Sequence, residues 1–289
     1  MTRTLIADFE AGRPVEGVFA VLAKQRRMNK NGDPYLVIEL SDSSGRIEGR
    51  VWDNADHFDR AVQPGDHVVV VGKPNMYREK LQLDIRRIAR AGDSDAADIP
   101  ESFIPAARRE LADLTGELDF LCADIEEPQL AALVTAVWFG PNRDLLVRSP
   151  ATASDHHAYL GGLVEHTVSV ATIAMAAVER HERINRDLVL AAALVHDIGR
   201  ARELTITTHV GVDEAGALQG HLVLGHEMLI EACVELTTRG LPDPRQCDWW
   251  PQLVHAMQQH HSTTDRIRTR EGVVLATANA LDVRLAGRD

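Results

Sequence analysis

Cysteine is scarce in this chain. Only Cys122, Cys233 and Cys247 carry thiols among 289 residues, an odd number with no Cys-x-x-Cys spacing. That excludes a disulfide framework and a thiolate zinc knuckle, and the three are expected as small apolar core residues. No apolar run reaches the roughly 20 residues that cross a bilayer, so no membrane partner is expected. The opening Met-Thr-Arg-Thr-Leu-Ile-Ala-Asp-Phe-Glu lacks a signal-peptide core, and a cytoplasmic location is the expectation. Lysine is absent from the larger part of the chain, since all four stand in the first third as Lys24, Lys30, Lys73 and Lys80.

Apolar residues make up 45% and charged residues 26%, the balance of a globular protein, and the length suits about two domains. The net charge of −12 argues against a nucleic-acid partner only until it is divided. Residues 1–92 carry a net +2 and residues 93–289 a net −14, so the acidity belongs to the second part and leaves room for a basic groove on the first.

The first part, 1–92, reads as a small β-barrel. Val15 to Ala23 is rich in β-formers, and Tyr35 to Leu40 alternates. Gly45 to Trp52 follows a turn at Asp42-Ser-Ser-Gly45, His67 to Gly72 is a buried-strand run, and Lys80 to Ile85 alternates again. Asp53 to Ala61 fits a helical turn or two between the third and fourth strands. Five strands with that insertion match an OB-fold, and such barrels hold single strands with cations along the phosphates and aromatic faces under the bases. The candidates are Lys24, Arg26, Arg27, Lys30, Tyr35, Arg50, Trp52, Lys73, Tyr77, Arg78 and Lys80. Any one of them alone reads equally well as barrel surface or partial core. The cluster favours binding.

Residues 93–102 are small and acidic without periodicity, which is the composition of a linker. From 103 to 289 helices dominate, over Ala106 to Cys122, Pro128 to Phe139, Leu160 to His181, Asp187 to Ile198, Ala217 to Thr238, Pro251 to His261 and Gly272 to Leu285. Eleven of the thirteen histidines lie between His156 and His261, and imidazoles with carboxylates on helices are the material of a divalent-metal pocket.

A His-Asp dipeptide means little by itself. The order is more telling: a histidine in Gly161-Gly-Leu-Val-Glu-His166, then Val195-His-Asp-Ile-Gly199, Gly220-His-Leu-Val-Leu-Gly225, His260-His-Ser262 and an aspartate in Ala280-Leu-Asp-Val283. This order resembles the HD-domain metal-dependent phosphohydrolases. Together with Asn31-Gly-Asp-Pro-Tyr-Leu36, Asp42-Ser-Ser-Gly-Arg-Ile47 and Trp52-Asp53 in the barrel, it resembles the YhaM-type 3′–5′ exoribonucleases from about Val15 to Asp282.

The resemblance implies an OB-fold joined to an all-α HD domain that removes nucleoside 5′-monophosphates from the 3′ end of single-stranded RNA, with DNA as a second substrate. It implies His166, His196, Asp197 and Asp282 as metal ligands. A second ion fits His221 and His260 with Asp197 bridging, or His261 in place of His260, because neighbouring helix positions diverge by about 100° and only one of them can face the pocket. Mixed imidazole and carboxylate ligands suit Mn²⁺, the first choice, or Fe²⁺, Ni²⁺ or Zn²⁺ better than Mg²⁺.

Asp197, Arg200 and His157 are the catalytic candidates. His157 fits either a phosphate contact or a buried structural role beside Gly161 and Gly162. Arg200 stands where the family commonly has lysine, which keeps the charge for a phosphate but not the ability to donate a proton near neutral pH. For His226 the spacing from His221 favours a surface or supporting position. His255 is expected to support the pocket, and His181 and His209 to face solvent. Two other functions fit parts of the pattern, a phosphohydrolase of mononucleotides or cyclic nucleotides and an inactive strand-binding protein. The barrel argues against the first and the complete ligand set against the second. An exposed face of the acidic part leaves room for a homo-oligomer.

Overall fold

The computed structural model describes residues 5–78, 80–91, 104, 106–107, 109–206, 210–212, 214–263 and 265–286. The expected linker at 93–102 and His209 lie outside them. The chain divides into two compact units at about residue 106.

The first unit is a closed barrel of strands β1 (Val15–Met28), β2 (Pro34–Asp42), β3 (Gly45–Val51), β4 (His67–Tyr77) and β5 (Lys80–Arg90) in the order β1-β2-β3-β5-β4. β1 serves two neighbours. Val15 to Ala20 pair with β4 and Ala20 to Met28 with β2, and the register shifts between Val21 and Ala23 where the strand turns the corner. A parallel pairing of Glu48 to Arg50 with Gln82 to Asp84 closes the barrel. Phe19, Leu36, Ile38, Leu40, Val68, Val70 and Leu83 fill it, as alternation along each strand requires. Helix α1 (Ala55–Ala61) is the expected insertion. β1, β4 and β5 outlast their apolar runs because ladder hydrogen bonds do not depend on the side chain, and Lys24 to Met28 still pair with Ile38 to Pro34.

The second unit is helical, with α2 (Leu111–Ala123), α3 (Pro128–Trp138), α4 (Arg143–Arg148), α5 (Gly162–Val178), α6 (Arg186–Val195), α7 (Arg200–Glu203), α8 (Glu214–Thr238, broken at Gly220), α9 (Trp250–Gln259) and α10 (Arg270–Ala286). A two-stranded ribbon, Leu204–Ile206 with Val210–Val212, precedes α8.

Helix α6 is the organising element. Asn185 caps it by accepting the Leu188 N–H at 3.1 Å, and every residue from Leu188 to Val195 is buried. A helix apolar on all sides belongs inside a bundle, and α3, α5, α9 and α10 surround this one. The Trp138 indole N–H donates to the Leu194 carbonyl at 2.9 Å, which pins the end of α6 where His196 and Asp197 follow. Cys122 and Cys233 are core residues, their thiols pushed up to about 12 by burial. Cys247 departs from the expectation. It is half-buried and donates to Gln129 Oε1 at 2.6 Å. Among the described residues no helix is long and apolar enough to cross a membrane.

Candidate metal centre

Because α6 is sealed on all sides, the two polar residues at its end are delivered into the interior. His196 is fully buried and Asp197 2% exposed. His196 Nδ1 lies 2.8 Å from the Ala193 carbonyl, an acceptor, so Nδ1 carries the proton and Nε2 a lone pair. Burial pushes the His196 pKa well below its ordinary value, with His260 and His166 adding to the effect, so the ring is neutral. His166, in the second turn of α5, is held likewise. Its Nδ1 lies 2.7 Å from Asp282 Oδ2, which turns the Nε2 lone pair towards His196 Nε2 at 3.1 Å. Asp197 Oδ2 stands 3.7 Å from His166 Nε2 and 3.9 Å from His196 Nε2.

A second group meets the other oxygen of the same carboxylate. His221 Nε2 and His260 Nε2 each lie 3.4 Å from Asp197 Oδ1, and His260 Nδ1 is fixed by the Met257 carbonyl at 2.6 Å. His261 Nε2 lies 2.9 Å from His260 Nε2. The expectation that only one of this histidine pair faces the pocket is corrected here. His260 keeps right-handed helical backbone (φ −65°, ψ −16°), so the two side chains leave the chain in different directions, yet each ring is long enough for both Nε2 atoms to reach the same group. Burial first and His260 second bring the His261 pKa down to about 4. Burial likewise lowers that of His221. For Asp197 burial opposes ionisation, but His196, His260 and Arg200 outweigh it and hold the carboxyl well below its ordinary range.

This donor set fits a divalent cation. Two lone-pair nitrogens 3.1 Å apart repel unless positive charge lies between them, and the separation matches the edge between two nitrogens sharing one ion at about 2.0–2.1 Å. Asp197 Oδ1 and His221 Nε2 are buried with no hydrogen-bond partner, which in a native interior marks an absent ion or water. The atoms form the groups His166, His196, Asp197 and Asp197, His221, His260, His261, and a third of His157, His166 and Asp282.

Asp282 thus meets His166 at Nδ1, on the opposite side of the ring from His196. It also accepts from Ser169 Oγ and lies 3.0 Å from His157 Nε2. For its carboxyl too burial opposes ionisation, and the contacts with His157, His166 and Ser169 prevail, keeping it well below the ordinary range. His157 is buried, in left-handed backbone (φ 49°), with Nδ1 2.7 Å from the Tyr159 hydroxyl, which donates to Glu165 Oε2 at 2.8 Å. Both its nitrogens face protein oxygens.

Arg200 Nε lies 3.6 Å from Asp197 Oδ2, while its Nη1 donates to Glu203 Oε2 at 2.6 Å. Glu203, Ser169, Tyr159 and Glu165 escaped the sequence reading. Ser169 and Glu203 were within reach of it, since each stands one helical turn after a singled-out residue, His166 or Arg200. His226 is half-buried, its ring 6.4 Å from that of Trp250. His255 accepts the Arg268 backbone N–H at 2.9 Å, a local structural bond. His181 is exposed.

On the barrel, the candidates separate into two groups. Trp52 and Tyr77 are 43% and 48% exposed, Tyr35 stacks on Trp52 with centroids 4.7 Å apart, and the Arg50 guanidinium lies over both Trp52 and Tyr77, at 5.7 and 5.1 Å. Arg78 covers Tyr77 at 5.4 Å, and Lys73 lines a cavity of about 320 Å³ beside Trp52. Arg50 Nε also pairs with Glu48 at 3.0 Å, Lys24 and Arg26 pair with Asp59 and Asp56 of α1, each at 2.9 Å, and Arg27 donates to Gln25. Lys30 and Lys80 are exposed.

The family model described as "HD domain" matches residues 163–284, and the one described as "OB-fold nucleic acid binding domain" matches 19–90. The chain is 29% identical over 235 residues to "3'-5' exoribonuclease YhaM" of Oceanobacillus iheyensis, covering 81% of this chain and 74% of that protein. It is 27% identical over 229 residues to the protein of the same name from Bacillus subtilis, covering 78% and 72%. Among solved structures, the second OB-fold domain of replication protein A from Methanococcus maripaludis is 21% identical, spans 31% of this chain and 94% of that one, and has a TM-score of 0.26. The chain is thus similar over most of its length to YhaM-type proteins, and it matches an OB-fold nucleic acid binding domain followed by an HD domain.

Proposed function

We propose that this chain is a divalent-metal-dependent 3′–5′ exonuclease that shortens single-stranded RNA and releases nucleoside 5′-monophosphates. The observation that carries the reading is the convergence of the His166 and His196 Nε2 lone pairs on the Asp197 carboxylate, with His221, His260 and His261 at its other oxygen. His166, His196 and Asp197 would hold one ion, and His221 and His260 or His261, with Asp197 shared, would hold the second. Asp282 orients His166 and is the remaining candidate ligand. The imidazole content favours Mn²⁺ over Mg²⁺.

Ions held there supply Lewis-acid polarisation of a phosphoryl oxygen and activate water. The chain's own groups do the rest. Neutral His196, His221 and His261 keep their lone pairs at neutral pH, so the donor set does not compete with protons there. Arg200 offers fixed positive charge beside Asp197 for a phosphate. The Trp52, Tyr35 and Tyr77 rings, with Arg50 and Arg78, give bases faces to stack on and phosphates cations to follow. A second grip on the same strand raises its local concentration. The cytoplasm, where buried free thiols persist and RNA is present, is the compartment this reading implies.

A mononucleotide hydrolase would have no use for that aromatic face. The test is incubation of the protein and Mn²⁺ with a single-stranded RNA labelled at its 5′ end. The expected result is a ladder shortening from the 3′ end, with nucleoside 5′-monophosphates as the released product. An intact strand, or hydrolysis of mononucleotides alone, would overturn the proposal.

A further inference from the structure

Glu203 is buried at the edge of the metal centre, and no role in hydrolysis requires it. Its two oxygens are divided between two elements. Oε2 accepts from Arg200 Nη1 at 2.6 Å, while Oε1 accepts the backbone N–H of His221 at 3.2 Å and lies 3.6 Å from His221 Nδ1. The second contact has a local cause. Gly220 (φ 73°, ψ 159°) breaks α8 immediately before His221, so the His221 N–H opens a new helical segment without an intrahelical acceptor. Glu203 supplies that acceptor from another element. The same carboxylate opposite Nδ1 favours the tautomer with its proton there, and so aims the Nε2 lone pair at Asp197 Oδ1, 3.4 Å away.

We propose that Glu203 is a positioning residue that fixes His221 as a ligand of the second ion and holds Arg200 beside Asp197. One carboxylate does both, because each of its oxygens faces only donors. The inference rests on the two-ion reading above, and it predicts a defect that a purely local ion pair with Arg200 would not give. A carboxylate behind a ligating histidine raises metal affinity about 10- to 100-fold.

The experiment is calorimetric titration of the metal-free full chain with MnCl₂ alone, alongside melting curves. Glu203→Ala should weaken the second Mn²⁺ by about 10- to 100-fold and raise KM for RNA, while the first ion binds as in the wild type. Glu203→Gln preserves the volume, but its single amide oxygen cannot serve both Arg200 and His221, so the second ion should weaken here too. In Arg200→Gln/Glu203→Gln the two amides can pair and free that oxygen for His221, and part of the lost affinity should return. Arg200→Gln alone should raise KM for RNA without lowering Mn²⁺ affinity. Wild-type Mn²⁺ affinity in folded Glu203→Gln, or no recovery in the double variant, would overturn the inference while the exonuclease reading stands. A wild-type chain that binds no Mn²⁺ would overturn both.

Discussion

Nδ1 of His166 lies 2.7 Å from Oδ2 of Asp282, and the opposite nitrogen of the same ring lies 3.1 Å from His196. Asp282 thus meets His166 on the side of the ring away from His196, where an accepting carboxylate favours the proton on Nδ1. Asp282→Asn should weaken Mn²⁺ binding about 10- to 100-fold, the range for a carboxylate behind a ligating histidine. Asp197→Ala should abolish binding and hydrolysis but leave single-strand binding intact. Calorimetry on both variants checks this. Wild-type Mn²⁺ affinity in Asp282→Asn would contradict this positioning role.

The approach of Gly199 to α8 leaves no room for a side chain. A methyl at Gly199 would sit 1.9 Å from the His221 carbonyl oxygen and 2.5 Å from the Gly225 nitrogen, both backbone atoms that cannot rotate away. Gly199→Ala should destabilise the protein by about 1–3 kcal/mol, the usual cost of overpacking, and push His221 off Asp197. Thermal melting and Mn²⁺ stoichiometry should show a lower Tm and one ion fewer.

Trp52 stacks on Tyr35 with Arg50 5.7 Å from its ring, yet remains 43% exposed, an arrangement that costs apolar exposure unless a base covers it. Trp52→Ala should raise the Kd for single-stranded RNA about 10-fold or more, given about 1–3 kcal/mol per stacked base. Lys24→Ala should have little effect on that Kd, because its ammonium is already paired with Asp59. Fluorescence anisotropy in metal-free buffer separates the two.

Asp66 accepts from Arg90 and from the Gln63 backbone N–H. The Arg90 hydrogen bond, ahead of every other cause, holds its carboxyl below the ordinary value of 3.8. A depressed folded-state pKa means that the unfolded chain binds the proton first as pH falls. The stabilisation is therefore present above pH 3.8 and is lost as pH drops through the folded value beneath it. Asp66→Asn should melt below the wild type at pH 7, with the gap closing under pH 3.8, as circular dichroism would record.

The barrel was legible because alternation and turns are local signals, and β1 to β5 fall where Val15, Tyr35, Gly45, His67 and Lys80 announce them. The core of the His/Asp cluster was legible because His196 and Asp197 end a helix too apolar to lie anywhere but inside. What escaped depended on contacts between distant segments. The approach of His260 and His261 to His221, and the contacts of Glu203 and Tyr159, depend on where other segments pass. The partners of Lys24 and Arg26 could not be read ahead, because a cation on a strand looks the same whether it faces solvent or an aspartate of α1.

The most direct test of the central claim is anomalous diffraction from crystals grown with Mn²⁺. A manganese peak is expected within bonding reach of His166 Nε2, His196 Nε2 and Asp197, with a second beside His221 and the His260–His261 pair. A peak only among His157, His166 Nδ1 and Asp282, or none in the helical unit, would contradict it.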